Sequence, residues 1–124
     1  MLTIRPAQME VLARVLDAGT EDRALAHLRN CIPEVCATLS ETELREIVHW
    51  GRKRSRRYGI EREYDFFRYL NLMFMFGFEF DTDPQYPWAA RTLNANSMRP
   101  VAKIDLLMDH ALLLCSQNRQ EQSV

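Results

Sequence analysis

The sequence of 124 residues has few of the residues that build covalent or metal-based sites. Its three cysteines, Cys31, Cys36 and Cys115, form no CxxC pair, and an odd, unpaired set is typical of thiols kept reduced. No glycine-rich phosphate loop is present, and no serine or cysteine lies in a nucleophile-elbow context. We therefore expect buried free thiols, no cofactor and no enzymatic activity.

Long apolar runs and an excess of one charge are missing as well. The most apolar run, Leu72–Phe80, is short and is interrupted by Gly77 and Glu79, so it cannot span a bilayer. The start, MLTIRPAQMEV, has no apolar core of the signal-peptide kind. The net charge of −1 provides no overall attraction for nucleic acid or anionic membranes. These features predict a cytoplasmic protein without membrane contact.

With four glycines and five prolines, the chain favours helix, and its apolar periodicity predicts an all-α fold. The expected fold is a single-domain bundle of five to six helices around a central aromatic-rich helix at about 61–76. The domain should cover residues 1–117, followed by a flexible tail over 118–124. The other predicted helices are one from Pro6 that breaks at Gly19-Thr20, one over Glu21–Cys31 capped by Thr20, a short turn within Glu34–Leu39, and helices over Glu41–Tyr58, Pro87–Asn94 and Met98–Ser116.

The most distinctive stretch runs from Asp65 to Trp88 and contains all six phenylalanines of the chain. As a helix, its first turns place Asp65, Arg68 and Asn71 on a solvent-facing side. Its last turns, from Leu72 to Phe76, are apolar all round, which predicts burial on every side. Gly77 is a suitable residue to end this helix.

The third helix is predicted in most detail. Ser40 and Glu43 match the capping-box pattern at its start, and Gly59 should end it. The inward stripe is expected to contain Leu44, Ile47, Val48, Gly51, Ser55 and Tyr58. Because Gly51 and Ser55 are small and four residues apart, we expect the aromatic helix to approach closely there. The sixth helix should bury Val101, Ile104, Leu107, Met108, Ala111, Leu112 and Cys115.

A basic run on the third helix is the strongest electrostatic feature: Arg52, Lys53, Arg54, Arg56 and Arg57. It has three interpretations. It is a solvated face that suits the negative end of its own helix, a docking surface for an acidic protein, or a phosphate-contacting patch. The third lacks an accompanying base-reading motif. The residues taken as candidates for partner binding are Arg52, Lys53, Arg56 and Arg57.

The acidic and aromatic loop that follows the central helix also has competing interpretations. Glu79, Asp81 and Asp83 do not continue as a calcium loop, because Pro84 and Gln85 follow. They form an acidic turn before the helix at Pro87, or they pair with the basic run. The loop aromatics bind a partner or seal the end of the bundle. The loop residues taken as candidates for partner binding are Phe78, Phe80, Asp81, Asp83 and Tyr86.

The three histidines, His27, His49 and His110, are isolated in the sequence. His27 and Cys31 are four residues apart, which places two metal-ligand types on one helix face. No second pair completes a tetrahedral set. We therefore expect a packed histidine beside a buried cysteine, and no metal site.

Three stretches carry a resemblance to a known group of proteins: LTIRPAQMEVL, HLRNCIPEVCATL and RYGIEREYDFFRYLNLMFMFGFEFDTDPQYPWA, together about half of the chain. The sequence resembles small helical accessory proteins encoded beside bacterial type VI secretion effectors and adaptor chaperones. The resemblance implies a co-chaperone-like role in effector delivery within the bacterial cytoplasm, with an adaptor chaperone or a secreted effector as partner. It brings no functional residues with it.

Other functions stay open at this point. An immunity-type protein that binds a cognate toxin is the main alternative, and a nucleic-acid-binding regulator rests only on the basic run. Self-association is compatible with either binding role.

Overall fold

The computed structural model describes the backbone of residues 6–122 and the side chains of residues 19–116. All regular structure in this part of the chain is helical, which confirms the predicted all-α class. No helix in it has an apolar stretch long enough to cross a membrane. The described helices are α1 (Pro6–Cys31), α2 (Pro33–Cys36), α3 (Glu41–Arg57), α4 (Glu63–Phe76), α5 (Pro87–Leu93) and α6 (Pro100–Gln122).

The chain divides into two compact units. The first ends at Trp50 and the second begins at Gly51, so the division falls within α3. The predicted domain over residues 1–117 and tail over 118–124 stay predictions, and the backbone of α6 is helical as far as Gln122.

The predicted break at Gly19-Thr20 is wrong, because α1 continues through both residues. A glycine inside a helix costs only about 1 kcal/mol relative to alanine, and the backbone of Gly19 does not have a positive φ. Thr20 therefore lies within α1 and caps no second helix. The apolar face expected at Met9, Leu12, Val15 and Leu16 lies outside the described side chains.

The first unit has a small apolar core contributed by the second half of α1, by α2 and by the start of α3. Arg45 of α3 contacts three carboxylates on its surface, those of Glu21 and Asp22 at 3.0 Å and that of Glu41 at 3.1 Å. Each of these solvent-exposed ion pairs contributes little stability, so the burial of apolar side chains stabilises this unit. Its buried residues are Ala24, Leu25, Leu28, Cys36, Leu44 and Val48.

The ends of α3 follow the local signals in the sequence. The Glu43 amide donates to Ser40 Oγ at 3.1 Å, and the Ser40 amide donates to Glu43 Oε1 at 3.3 Å. This is the predicted capping box. Beyond the other end, Gly59 has a φ of +79°, a conformation that glycine adopts without steric cost.

In the second unit, α4 supplies the largest share of the core, and α6 packs against both α4 and α5. Helix α4 ends at Phe76 as predicted, and Gly77 follows with a φ of +115°. The fully buried apolar side chains of this unit are Ile60, Phe66, Tyr69, Leu70, Leu72, Met73, Phe80, Ala89, Leu93, Ile104, Leu107 and Ala111.

The composition of the last turns of α4 predicted burial on every side, but the structure exposes part of them. Met75 is 45% exposed, and Phe74 and Phe76 are half-buried. At the other end, Asp65 was expected in solvent but is buried. Its carboxylate accepts a hydrogen bond at 2.7 Å from Arg68, which also contacts Asp105 of α6 at 2.6 Å. A carboxylate tolerates burial when it is paired in this way.

The buried face of α6 is narrower than predicted. Ile104, Leu107 and Ala111 lie in the core, but Leu112 is 62% exposed, because each residue turns about 100° from the one before. Lys103, which the apolar pattern omitted, is buried. Its ammonium donates to Leu93 O at 2.8 Å and more weakly to Tyr58 O at 3.4 Å. It thus satisfies carbonyls at the ends of α5 and α3, where a cation is favourable.

The predicted close approach of α3 and α4 is confirmed at Gly51. A Cβ atom built on Gly51 would lie 2.9 Å from both Leu70 Cδ2 and Met73 Sδ. Ser55, one turn further on, is also buried, and its hydroxyl donates to Arg52 O at 3.1 Å. The two helices are therefore in contact at a point where no larger side chain fits.

This contact makes a testable prediction. Gly51→Leu should lower the free energy of unfolding by about 1–3 kcal/mol, because a leucine overpacks the contact with Leu70 and Met73. Lys53→Leu, on the exposed side of the same helix, should change it by less than about 0.5 kcal/mol. Urea unfolding of both variants measures the difference, and equal effects at the two positions would contradict the assigned faces.

Candidate functional site

The cations of the basic run occupy two different environments. Arg52 and Arg54 are half-buried, whereas Lys53, Arg56 and Arg57 are exposed. The helical period explains this division. Residues 51 and 55 face α4, so positions 52 and 54 lie at the margins of the buried face and the other three point away from it.

Arg52 links α3 to the start of α4 and to the segment between the two helices. Its guanidinium lies 4.9 Å from the centre of the Phe66 ring, within cation–π range. It also donates to Glu61 O at 3.2 Å. The prediction placed Arg52 among the partner-binding residues, but the structure engages its side chain within the second unit.

The α4–α5 loop (residues 77–86) is anchored to α3 by one buried carboxylate. Asp81 is 1% exposed. Its Oδ1 accepts from Arg54 at 2.8 Å and its Oδ2 accepts from the Tyr58 hydroxyl at 2.5 Å. The proposed pairing of a loop carboxylate with the basic run is therefore confirmed for Arg54 and Asp81, and Arg54 does not contribute to an outward basic surface.

Two loop residues that were candidates for partner binding lie inside the unit. Phe80 is fully buried, with its ring 5.1 Å from that of Tyr69. Asp81 is buried beside it. Both were candidates because exposed aromatics and carboxylates of this acidic and aromatic loop could bind a partner. Their burial depends on Arg54 of α3, on Tyr58 just after α3 and on Tyr69 of α4.

The remaining candidates of the loop differ in exposure. Phe78 is 42% exposed and meets Phe74 edge to face at 5.4 Å. Asp83 is half-buried, and its carboxylate accepts from the Gln85 amide at 2.9 Å, which stabilises the turn. Tyr86 is half-buried against Phe76, 5.0 Å away. Of these three, Phe78 offers the most apolar surface.

The other loop aromatics join a cluster that continues to α6. Phe76 meets Trp88 edge to face at 5.5 Å, and Trp88 stacks on His110 at 5.1 Å. These rings are half-buried and contact one another. These rings therefore agree with the interpretation that the loop aromatics seal the end of the helices. Phe78, which is more exposed, agrees with the alternative that a loop aromatic binds a partner.

Two exposed large side chains of α4, Met75 and Tyr64, were missed by sequence reasoning. Met75 belongs to a run that is apolar all round, so nothing in the pattern distinguishes it from its buried neighbours. Tyr64 is 65% exposed, with the Arg68 guanidinium 4.9 Å from its ring. The helices that pack on α4, among them α3 and α6, determine which side of the apolar run meets solvent.

The thiols are distributed differently from the prediction. Cys36 is buried as expected, but Cys115 is half-buried and Cys31 is exposed. The Cys31 sulfur lies 3.7 Å and 3.8 Å from the two ring nitrogens of His27. Among the side chains from residue 19 to residue 116, no three histidine, cysteine or acidic groups come together as a metal set.

The two tyrosines near Asp81 are held in their protonated form. Burial, followed by the hydrogen bond to Asp81, raises the pKa of Tyr58 to about 12. Burial and the nearby Asp81 charge raise the pKa of Tyr69 well above its usual range. The Arg54 pKa is raised above its ordinary value by the hydrogen bond to Asp81. Both phenols are therefore neutral at neutral pH.

Comparisons of this chain with models of known protein families, with curated proteins and with solved structures find no match.

The raised pKa of Tyr58 predicts a loss of stability in alkali. Unfolded tyrosine has a pKa of about 10, and the folded value is about 12. Between these values the folded state holds more protons, so the free energy of unfolding falls as pH rises. Tyr58→Phe should show a smaller fall over the same interval. Urea unfolding at several pH values between about 9 and about 11.5 measures this, and parallel curves for both proteins would contradict it.

The Asp81 anchor makes a second prediction. Asp81→Asn keeps the size of the side chain but removes its charge, so it should lower the free energy of unfolding by about 1.5–3 kcal/mol. Glu79→Gln removes a charge from an exposed side chain of the same loop and should change it by less than about 0.5 kcal/mol. Denaturant unfolding compares the two variants. A similar small effect for both would show that the loop does not depend on Asp81.

Proposed function

We propose that this chain is a non-enzymatic protein-interaction module that serves as an accessory, or co-chaperone, in loading type VI secretion effectors. The observation that carries the proposal is the exposure of large apolar side chains where α4 meets the α4–α5 loop. Met75 and Phe78 are 45% and 42% exposed. Neighbouring apolar side chains that stay in solvent are typical of protein interaction sites.

The setting of these residues supports binding of a partner protein. Phe78 rests against Phe74, and its loop is anchored three residues later by the Asp81 carboxylate. A surface held in one conformation before it meets its partner loses less entropy on binding. This favours recognition by a preformed surface.

The type of partner comes from the sequence resemblance. The proteins that this sequence resembles are encoded beside secretion effectors and their adaptor chaperones, so the partner is an adaptor chaperone or a secreted effector in the bacterial cytoplasm. The nucleic-acid alternative has less support, because Arg52 and Arg54 are engaged within the second unit and leave three exposed cations in the basic run.

The experiment is affinity purification of the tagged chain from a bacterium that carries a type VI secretion system. The adaptor chaperone or the effector should co-purify. Met75→Ser with Phe78→Ser should reduce its recovery about tenfold or more, since central apolar contacts dominate binding energy. Leu113→Ser, which changes an apolar side chain that is 58% exposed on α6, is the matched control.

Two outcomes would reject the proposal. Recovery of a toxin whose activity the chain neutralises would instead establish the immunity-type function. If neither an adaptor nor an effector co-purifies while the secretion genes are expressed, the accessory role is rejected. Equal loss for the double variant and for Leu113→Ser would show that the end of α4 is not the binding surface.

A further inference from the structure

We infer that the partner binds through a basic amphipathic helix, which docks in a groove along one side of the pair formed by α4 and α6. This groove is called the α4–α6 groove below. It is lined by Tyr64 and Met75 of α4 and by Asp105, Asp109 and Leu112 of α6. The inference rests on the proposed function, whose surface includes Met75, and it adds the chemistry of the segment that is recognised.

One ion pair determines which sides of the two helices form the groove. Arg68 of α4 donates to Asp105 of α6 at 2.6 Å, and its guanidinium lies 4.9 Å from the centre of the Tyr64 ring. Seven residues make almost two full turns, so Met75 lies within about 20° of Arg68 around the axis of α4. Leu112 has the same relation to Asp105 on α6. Both apolar side chains are therefore on the side of the helix pair where the ion pair lies.

Two further contacts show that α4 and α6 run in the same direction. Before the ion pair, a Cβ atom built on Gly59 would lie 3.4 Å from Pro100 Cγ. Beyond the ion pair, Trp88 meets Phe76 edge to face and stacks on His110. The contacts therefore follow the same order along both helices. Both apolar residues that lie two turns beyond the ion pair are thus at the same end of the groove.

The large side chains of the groove are open to solvent. Tyr64 is 65% exposed, Met75 is 45% exposed and Leu112 is 62% exposed. From Tyr64 to Met75 the axis of α4 spans about 16 Å, or about three helical turns. A partner helix that lies along the groove covers side chains at this spacing with its apolar face, which is a common mode of peptide recognition.

Acidic groups outnumber cations among the polar side chains of the groove. The Asp105 side chain is 60% exposed, whereas Arg68, which pairs with both Asp105 and the buried Asp65, is 16% exposed. Asp109 follows one turn later and is exposed. Its carboxylate makes no hydrogen bond or ion pair with any side chain in the described range 19–116. Three acidic side chains beside one guanidinium favour a lysine or arginine on the partner helix.

The charge of the groove distinguishes this ligand from other occupants. Asp105 and Asp109 repel the phosphates of nucleic acid and of anionic lipids. A second copy that used the same groove in a two-fold contact would place its own acidic side chains opposite these two, and like charges that face each other are unfavourable. A basic helix from another protein therefore fits best.

The test uses three fluorescent synthetic peptides and the complete chain. The first peptide is a helix with leucines on one face and lysines on both sides of that face. The second has glutamate in place of every lysine, and the third has the composition of the first in an order that forms no apolar face. Fluorescence anisotropy should show that the first peptide binds at least about tenfold more tightly than either of the others.

Two charge-reversed variants test the acidic part of the groove. Asp109→Lys should weaken binding of the first peptide at least about fivefold and strengthen binding of the second, because it exchanges repulsion and attraction. Glu46→Lys makes the same change in net charge at an exposed side chain of α3. That control should stay within about twofold of wild type for both peptides, since salt screens distant exposed charges. The urea midpoints of both variants verify that they fold.

Two adjacent leucines of α6 provide a matched pair for the apolar part. Leu112 and Leu113 are 62% and 58% exposed, so serine at either position removes a similar apolar area and leaves the core intact. They lie about 100° apart around the axis, and only Leu112 belongs to the groove. Leu112→Ser should weaken binding of the first peptide at least about fivefold, mainly through faster dissociation. Leu113→Ser should stay within about twofold of wild type.

Three results would overturn the inference. The first is equal binding of all three peptides, and the second is an equal effect of serine at positions 112 and 113. The third is a dimer of the free chain in sedimentation that Leu112→Ser converts to a monomer, because a second copy would then occupy the groove.

The purified adaptor or effector separates this inference from the proposed function. It should bind Leu112→Ser at least about fivefold more weakly than wild type. If Met75→Ser with Phe78→Ser abolishes its binding while Leu112→Ser binds with wild-type affinity, only the assignment of the groove fails and the proposed function remains. If the first peptide binds as expected but neither an adaptor nor an effector co-purifies, the accessory role fails and the groove remains a site for a basic helix.

Discussion

The buried carboxylate of Asp81 is the interaction on which the arrangement of the second unit depends most. It accepts hydrogen bonds from Arg54 and Tyr58 while it lies almost fully out of solvent. A buried charge without partners would be far less stable than one in water, so the loop adopts the position in which both donors reach Asp81. Phe80 is thereby placed against Tyr69, and Phe78 is left at the surface.

Other polar contacts in the second unit act in a similar way, by joining ends of helices rather than their middles. Lys103 donates to carbonyls at the ends of α3 and α5. Arg68 connects the buried Asp65 with Asp105 of α6. Between these points the helices meet through apolar packing, and α3 approaches α4 closely at Gly51. Apolar burial supplies most of the stability, and the charged contacts select one arrangement of the helix ends.

The charged groups that make contacts inside the second unit also determine which charged groups remain on its surface. A run of five cations in the sequence becomes two that serve the fold and three that face solvent. In the same way, an aromatic stretch becomes a buried set around Tyr69, a half-buried cluster around Trp88 and the exposed pair Met75 and Phe78. The proposed interaction surface is what remains after the second unit has satisfied its own buried groups. Its composition therefore reflects the fold as much as it reflects a partner.

The sequence by itself determined the features that depend on neighbours within one or two helical turns. The capping box at Ser40, the ends of α3 and α4, the start of α5 at Pro87 and the close approach at Gly51 all follow from capping chemistry and helical periodicity. The break expected at Gly19 was the main local error, since a single glycine weakens a helix without ending it.

Tertiary structure alone decided which charges are buried and which apolar residues are exposed. Asp81 meets Arg54 across 27 residues of sequence, and Arg68 meets Asp105 across 37, so no local pattern could identify these pairs. Met75 and Leu112 are exposed although their neighbours in sequence are as apolar as they are. A helix is buried only where another element covers it, and that cover comes from residues far along the chain.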